Sequence, residues 1–198
     1  MSLLAGRTLI ALDTETTGMS PKDGQRVVEV ARVTIQNGAL AEEWSSLVQP
    51  GRQIPPDATR VHGISDAMVA DAPSPAIVAK ALREACADLP LVFHNAPFDL
   101  PFLRALCEDG GVPPFANPII DTLGLARGLG GVGGNALGVL AARMGLPAET
   151  AHRALGDTRT TARLFLRLAD TWERDKGIRS LDELAAVSID VMRTTARR

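Results

Sequence analysis

The sequence predicts an α/β fold, a mixed five-stranded sheet with helices on both faces. Two observations carry this expectation. Three strand-length apolar runs come first, punctuated by turn signals. Beyond residue 75, short apolar runs alternate with stretches of helical periodicity. Strands followed by strand–helix alternation is the order of a sheet whose faces are both covered.

The elements follow in chain order. Residues 8–12 form an apolar run that reads as a buried strand, and Gly18 offers a turn after it. Strands at 27–35 and 43–48 are separated by Asn37-Gly38, a strong hairpin signal. Residues 49–57 are rich in Pro and Gly and read as loop. A helix over 75–88 precedes a short strand at 91–93, and Pro97 suits the first turn of the next helix, 98–108. Gly110-Gly111 and Pro113-Pro114 break the chain before a last strand at Ile119-Ile120. Helices then cover 123–127, 136–144 and 158–173. Residues 128–134 hold five glycines and no phosphate-loop Lys, so they read as a mobile connection and not a nucleotide cradle. Beyond residue 175, Leu181, Leu184, Ala185, Ile189 and Met192 make one apolar helical stripe of unassigned role, which could cover local core, bind a polymerase or pair with another copy, the first being the default. Domain boundaries are accordingly set at 1–174 and 175–198.

Acids stand in unusual places on this frame. Asp13 and Glu15 lie two residues apart at the end of the first strand, so both point to one side while Thr14 points away. Like charges held that close need a shared proton or a cation, and hard divalent ions prefer oxygen donors. Asp99 shares a helix face with Phe102, Leu103 and Leu106. Asp157 heads a stripe of Thr161, Leu164 and Leu168, with His152 five residues earlier. On one continuous helix those two side chains would diverge by roughly 140°. They converge only if His152 lies on the preceding loop, with Gly156 giving the backbone freedom to turn. Taken singly, Asp99 is better explained as an acid at the positive end of a helix, Asp157 is well explained as a helix cap, and His152 as a surface residue. His94 reads as structural, Asp121 as a helix N-cap, and Glu29 either as an acceptor near the site or as an edge residue facing solvent.

Together, Asp13-x-Glu15 in DTETTG, Asp99 in HNAPFD and His152-x4-Asp157, in that order, resemble the DEDDh exonucleases, the group of ribonuclease T and the epsilon subunit of bacterial DNA polymerase III. Val61-His62-Gly63-Ile64 is similar to a segment of the epsilon-like branch, and the resemblance spans roughly residues 7 to 170. It implies a ribonuclease H-like fold and a 3′–5′ exonuclease that releases nucleoside 5′-monophosphates, with single-stranded or frayed DNA favoured and an RNA-directed 3′ exoribonuclease as the alternative. It also implies two divalent ions, Mg²⁺ or Mn²⁺. Asp13 would bridge both, Glu15 and Asp157 would complete the coordination of the first ion, Asp99 would hold the second ion through water, and His152 would take a proton from the attacking water. Thr16, Thr17, Asp57, His62 and Asn95 are the implied substrate contacts; Asp57 stands where the epsilon subunit carries Glu. Nucleic acid 3′ ends are the implied partner, with a DNA polymerase subunit as a further candidate and the oligomeric state open.

Composition bounds the answer without choosing it. At 198 residues, with 45% hydrophobic and 22% charged, the chain suits one domain with a sizeable core. Its 21 Lys and Arg against 23 Asp and Glu leave a net charge of −2, not the basic excess of a protein that coats long nucleic acid. It suits a pocket for a few nucleotides whose phosphates meet metal, with Arg26, Arg60, Arg127, Arg143, Arg153 and Arg159 as local phosphate candidates. Two cysteines give no disulfide framework, and no run approaches a membrane span, so the expected setting is the cytoplasm. Two rival readings are a catalytically inert nucleic-acid-binding adaptor and an actin-like phosphotransferase. The full acid set with His152 argues against the first; the second expects further glycine-rich phosphate loops and a second Asp-Gly turn.

Overall fold

A computed structural model describes residues 2–130 and 133–195, with side chains through Met192. Gly131 and Val132 lie outside it, and with them the expectation of a mobile connection there; so do Met1 and the basic end 196–198. The architecture is the predicted one, a five-stranded mixed sheet flanked by helices. Strands β1 (Thr8–Thr16), β2 (Val27–Gln36), β3 (Ala39–Leu47), β4 (Leu91–Phe93) and β5 (Ile119–Asp121) stand in the order β3-β2-β1-β4-β5. The first three pair antiparallel, with the Asn37-Gly38 turn between β2 and β3, while β4 and β5 add in parallel.

Alternation along β1 sorts the two cores. Leu9 and Ala11 face one layer, built on α5 (Thr122–Gly128), α6 (Leu137–Arg143), α7 (Ala154–Lys176) and α8 (Leu181–Thr195). Ile10 and Leu12 face the other, built on α3 (Pro75–Cys86) and α4 (Ala96–Asp109). Two short helices, α1 (Pro56–His62) and α2 (Asp66–Val69), occupy the stretch after β3, where sequence periodicity is too brief to see. Strand β1 runs four residues past the expected apolar end, because β2 continues to pair with it through both acids. Cys86 and Cys107 are buried free thiols, and Leu3 and Leu4 are part of the core.

The tail belongs to this core. Leu184 and Ser188 on α8 are fully buried, and α8 lies so close to α5 that a β-carbon on Gly124 would collide with the Ser188 carbonyl. Ser188 Oγ accepts the Asp121 N–H at 3.1 Å. No helix among the described residues is long and apolar enough to cross a membrane.

Candidate active site

The site forms where β1 leaves the sheet. Asp13 and Glu15 occupy consecutive outward positions on the face covered by α7, opposite Ala31 and Glu29 of β2. Asp157 arrives from the first turn of α7. One carboxylate oxygen from each of Asp13, Glu15 and Asp157 lies within 4.8 Å of the others.

Asp99 comes from the opposite layer. Thr14 points away from Asp13 and Glu15, as its strand position requires, and is buried toward α4. There Asp99 Oδ1 accepts both the Thr14 hydroxyl at 2.7 Å and the Thr14 N–H at 3.1 Å. Because β4 pairs with β1 only at Ile10 and Ala11, that amide has no strand partner on this side, and the carboxylate takes it. Thr14 is thus a site residue that sequence reading set aside; its position on the inward alternation was the available signal.

The electrostatics mark the acids as a unit. Burial, then the charges of Asp99, Asp157, Glu15 and Glu29, hold the Asp13 carboxyl well above the usual carboxylate range. Burial and the Asp157 charge push Glu15 up to about 8. Burial raises Asp99 to about 7, against the lowering effect of its bonds from Thr14. Asp157 is raised by burial and lowered by the His152 N–H. An all-oxygen set that resists ionising side by side suits a hard divalent cation, which would stabilise the charged forms together.

A stability prediction follows. A carboxyl with a raised folded-state pKa stabilises the fold below its unfolded value and loses that contribution as pH rises through the folded value. For Glu15 that window runs from 4.5 to about 8. Burial lowers the His62 and His94 imidazoles, which acts in the opposite sense at acidic pH. The diagnostic range is therefore about pH 6.5–8, above the ordinary histidine value. There the Tm of metal-free protein should fall as pH rises, and Mg²⁺ should flatten the slope. A metal-free Tm that is level or rising across that range would contradict the raised acids.

His152 lies on the loop before α7, exposed, as convergence with Asp157 demands. Its N–H donates to Asp157 Oδ2 at 2.9 Å, and its backbone is left-handed at φ 57°. Gly156, expected at a turn, instead lies inside α7. Its missing side chain serves a close approach, since a β-carbon there would collide with the Thr150 carbonyl of the loop carrying His152. Glu29 does not face solvent: β2 is an interior strand, and the buried carboxylate binds Arg153 and the Ala154 N–H.

The substrate candidates divide. Thr16 donates its hydroxyl to the Gly18 carbonyl at 2.7 Å, and Thr17 donates to Gln25 Oε1 at 2.6 Å, so both brace the turn after β1. His62 is buried, with Nδ1 accepting the Ile64 N–H at 3.0 Å and Nε2 lacking a protein partner. Asn95, left-handed at φ 72°, begins α4 and is held through its N–H to Asp121 Oδ1. Asp57 is not brought to the cluster; it is exposed on α1 and paired with Arg60. Asp121 caps α5 through the Leu123 N–H at 2.9 Å and also accepts Asn95 and Ala96 N–H groups, tying α5 to the helix that carries Asp99. His94 joins Thr122 to the Asn135 carbonyl, the structural part expected of it. Of the arginines, Arg26, Arg60, Arg153 and Arg159 are already paired with acids. Between the 3-10 turn Pro21–Asp23 and α4, an open groove of about 890 Å³ is lined by Met19, Lys22, Phe98 and Arg104.

Comparison with known proteins agrees with this geometry. The RNase_T model, described as exonuclease, matches residues 10–165. The DNA polymerase III subunit epsilon-like protein of Rhodobacter capsulatus is 45% identical over 166 residues, covering 81% of this chain and 23% of that protein. The PolC-type DNA polymerase III of Thermotoga maritima is 33% identical over 183 residues, 92% of this chain and 13% of that protein. The chain thus spans a quarter or less of these relatives' length. Exonuclease X in complex with 5′ overhanging duplex DNA superposes with a TM-score of 0.73 at 30% identity, covering 91% of this chain and 99% of its own. Escherichia coli exonuclease I with a dT13 oligonucleotide has a TM-score of 0.75 at 19% identity, over 85% of this chain and 42% of its own, a likeness of fold.

Proposed function

The chain belongs to the RNase_T exonuclease family, and from that membership and its acid cluster we propose that it is a metal-dependent 3′–5′ exonuclease releasing nucleoside 5′-monophosphates. The observation that carries this reading is the approach of Asp13, Glu15 and Asp157 oxygens to within 4.8 Å of one another. With Asp99, whose charge bears on Asp13, they are the residues we assign to two divalent ions, Mg²⁺ or Mn²⁺. Bound there, the ions supply Lewis-acid stabilisation to the attacking and leaving oxygens of a phosphodiester.

The chain's own residues supply the rest. His152 accepts the proton of the attacking water at a ring nitrogen, from a loop fixed against Asp157. The braced turn of Thr16 and Thr17 seats the terminal nucleotide, and His62, buried beside the Thr16 backbone, contributes to that seat. Asn95 acts by holding the start of α4. Asp57 makes the weakest case for contact, since its carboxylate is engaged by Arg60. Residues 1–174 form the catalytic unit in this reading, and the described part of 175–198 completes its core without supplying an acid or base to the site. Single-stranded or frayed DNA is the favoured substrate, supported by relatives named as DNA polymerase III proteins and by the DNA in the exonuclease X complex. The same names support association with a DNA polymerase, and such work would take place in the cytoplasm.

Polarity tests the reading. A pocket for one terminal nucleotide admits a frayed end more readily than a paired one, since unpairing costs a few kcal/mol. An oligonucleotide blocked at its 3′ end should resist, and one blocked at its 5′ end should be degraded. Matched DNA and RNA oligonucleotides should show DNA cut faster; faster RNA cutting would make the chain an exoribonuclease. Rapid cutting of a closed single-stranded circle would overturn the exonuclease reading.

A further inference from the structure

Glu29 is a fifth acid beside the four assigned to metal, on the same face of the sheet and directly opposite Glu15 in the β1–β2 ladder. Its environment differs from theirs. Oε1 accepts Arg153 Nη2 at 2.7 Å, while Oε2 accepts Arg153 Nε at 3.1 Å and the Ala154 N–H at 3.0 Å. Both oxygens are engaged by a two-pronged guanidinium contact and a helix-start amide, so the carboxylate has no face left for a cation. Its side chain is 5% exposed, whereas that of Arg153 is 42% exposed.

These bonds act on the loop that carries His152. Three successive residues are tied to two carboxylates: His152 through its N–H to Asp157, then Arg153 through its guanidinium and Ala154 through its N–H to Glu29. The tied segment includes a non-glycine residue at φ 57°, a conformation that persists only where its surroundings impose it. The Asp157 carboxylate supplies one bond to this turn; the Glu29 carboxylate supplies three, from an interior strand. The pairing also neutralises Arg153, a cation that would otherwise stand beside a site built to hold positive ions.

We propose that Glu29 is a positioning residue for His152, clamping the loop through Arg153 and Ala154 so that the imidazole is held at the acid cluster. The inference rests on the reading of His152 as proton acceptor. A group that acts through another loses its effect when that other is removed. The test is kcat and KM at saturating Mg²⁺ for wild type, Glu29→Gln, Arg153→Met and the double variant, each with and without His152→Ala.

With His152 present, each single substitution should lower kcat about 10–100-fold, the usual effect of losing an outer partner of a site. KM should hardly move, and the double variant should be no slower than the slower single one. In the His152→Ala background the same substitutions should leave the residual kcat unchanged. A wild-type kcat in Arg153→Met would overturn the proposal, and so would an equal loss in both backgrounds, which would mean that the clamp acts on the metals or the fold. Should Glu29→Gln fail to fold, Arg153→Met, cut from a half-exposed side chain, decides alone. An inactive wild type would instead overturn the exonuclease reading, a separate result.

Discussion

Asp13→Asn should abolish metal-dependent hydrolysis and, at the same time, stabilise the metal-free protein. The first effect follows from position: Asp13 meets Glu15 and Asp157 on one side and feels Asp99 from the other. Losing a single well-placed electrostatic group at a reacting centre costs about 10²–10³ in kcat, and a carboxylate at the centre of the acids that would hold the metal should cost at least that. The second effect has the opposite sign because the cause is different. Without an ion, Asp13 is a half-buried carboxyl among four other acids, and a neutral isostere removes that repulsion. Activity against 3′-labelled oligonucleotide and thermal melting in chelator measure the two effects on the same preparation. A variant that keeps wild-type turnover would remove Asp13 from the site. One that loses turnover because it is unfolded would leave no support for the charge-repulsion account of the cluster.

His152→Ala should slow the chemical step by roughly 10²–10⁴, the range for removal of a positioned base, while oligonucleotide binding changes little. The separation is expected because His152 is exposed on its loop, whereas Thr16, Thr17 and His62, the residues proposed to seat the nucleotide, are buried apart from it. Single-turnover rates measured beside an equilibrium binding curve distinguish the two. Near-wild-type turnover in this variant would assign the proton transfer to another group.

Much of this was legible in the sequence because strand alternation and helical stripes are local. Asp13 and Glu15 share a side by period two, and Asp99 and Asp157 head apolar stripes, so each could be found without the fold. The His152 loop was legible as well, since helical geometry forbids convergence at five residues otherwise. What stayed hidden depends on contacts distant in sequence. Thr14 meets Asp99 across 85 positions, and Glu29 meets Arg153 across 124. Neither spacing leaves a local pattern. Glu29 did stand out as a lone acid in an apolar strand, but the choice between solvent and interior needed the strand order. Gly156 shows the same limit, because its role is set by the approach of Thr150 over an otherwise ordinary helix. The stripe of α8 was legible, but its place in the core, and its link through Ser188 and Asp121 to the helix of Asp99, were not.

The most direct test of the central claim is the rate of nucleoside 5′-monophosphate release from single-stranded DNA as divalent ions are withdrawn with chelator and then restored. Four carboxylates at the end of β1 without an ion are held toward their protonated forms and cannot organise a phosphodiester for attack. Release should therefore stop in excess chelator and return when Mg²⁺ or Mn²⁺ is added back. Full turnover in excess chelator would contradict the assignment of this cluster as a metal-dependent exonuclease site.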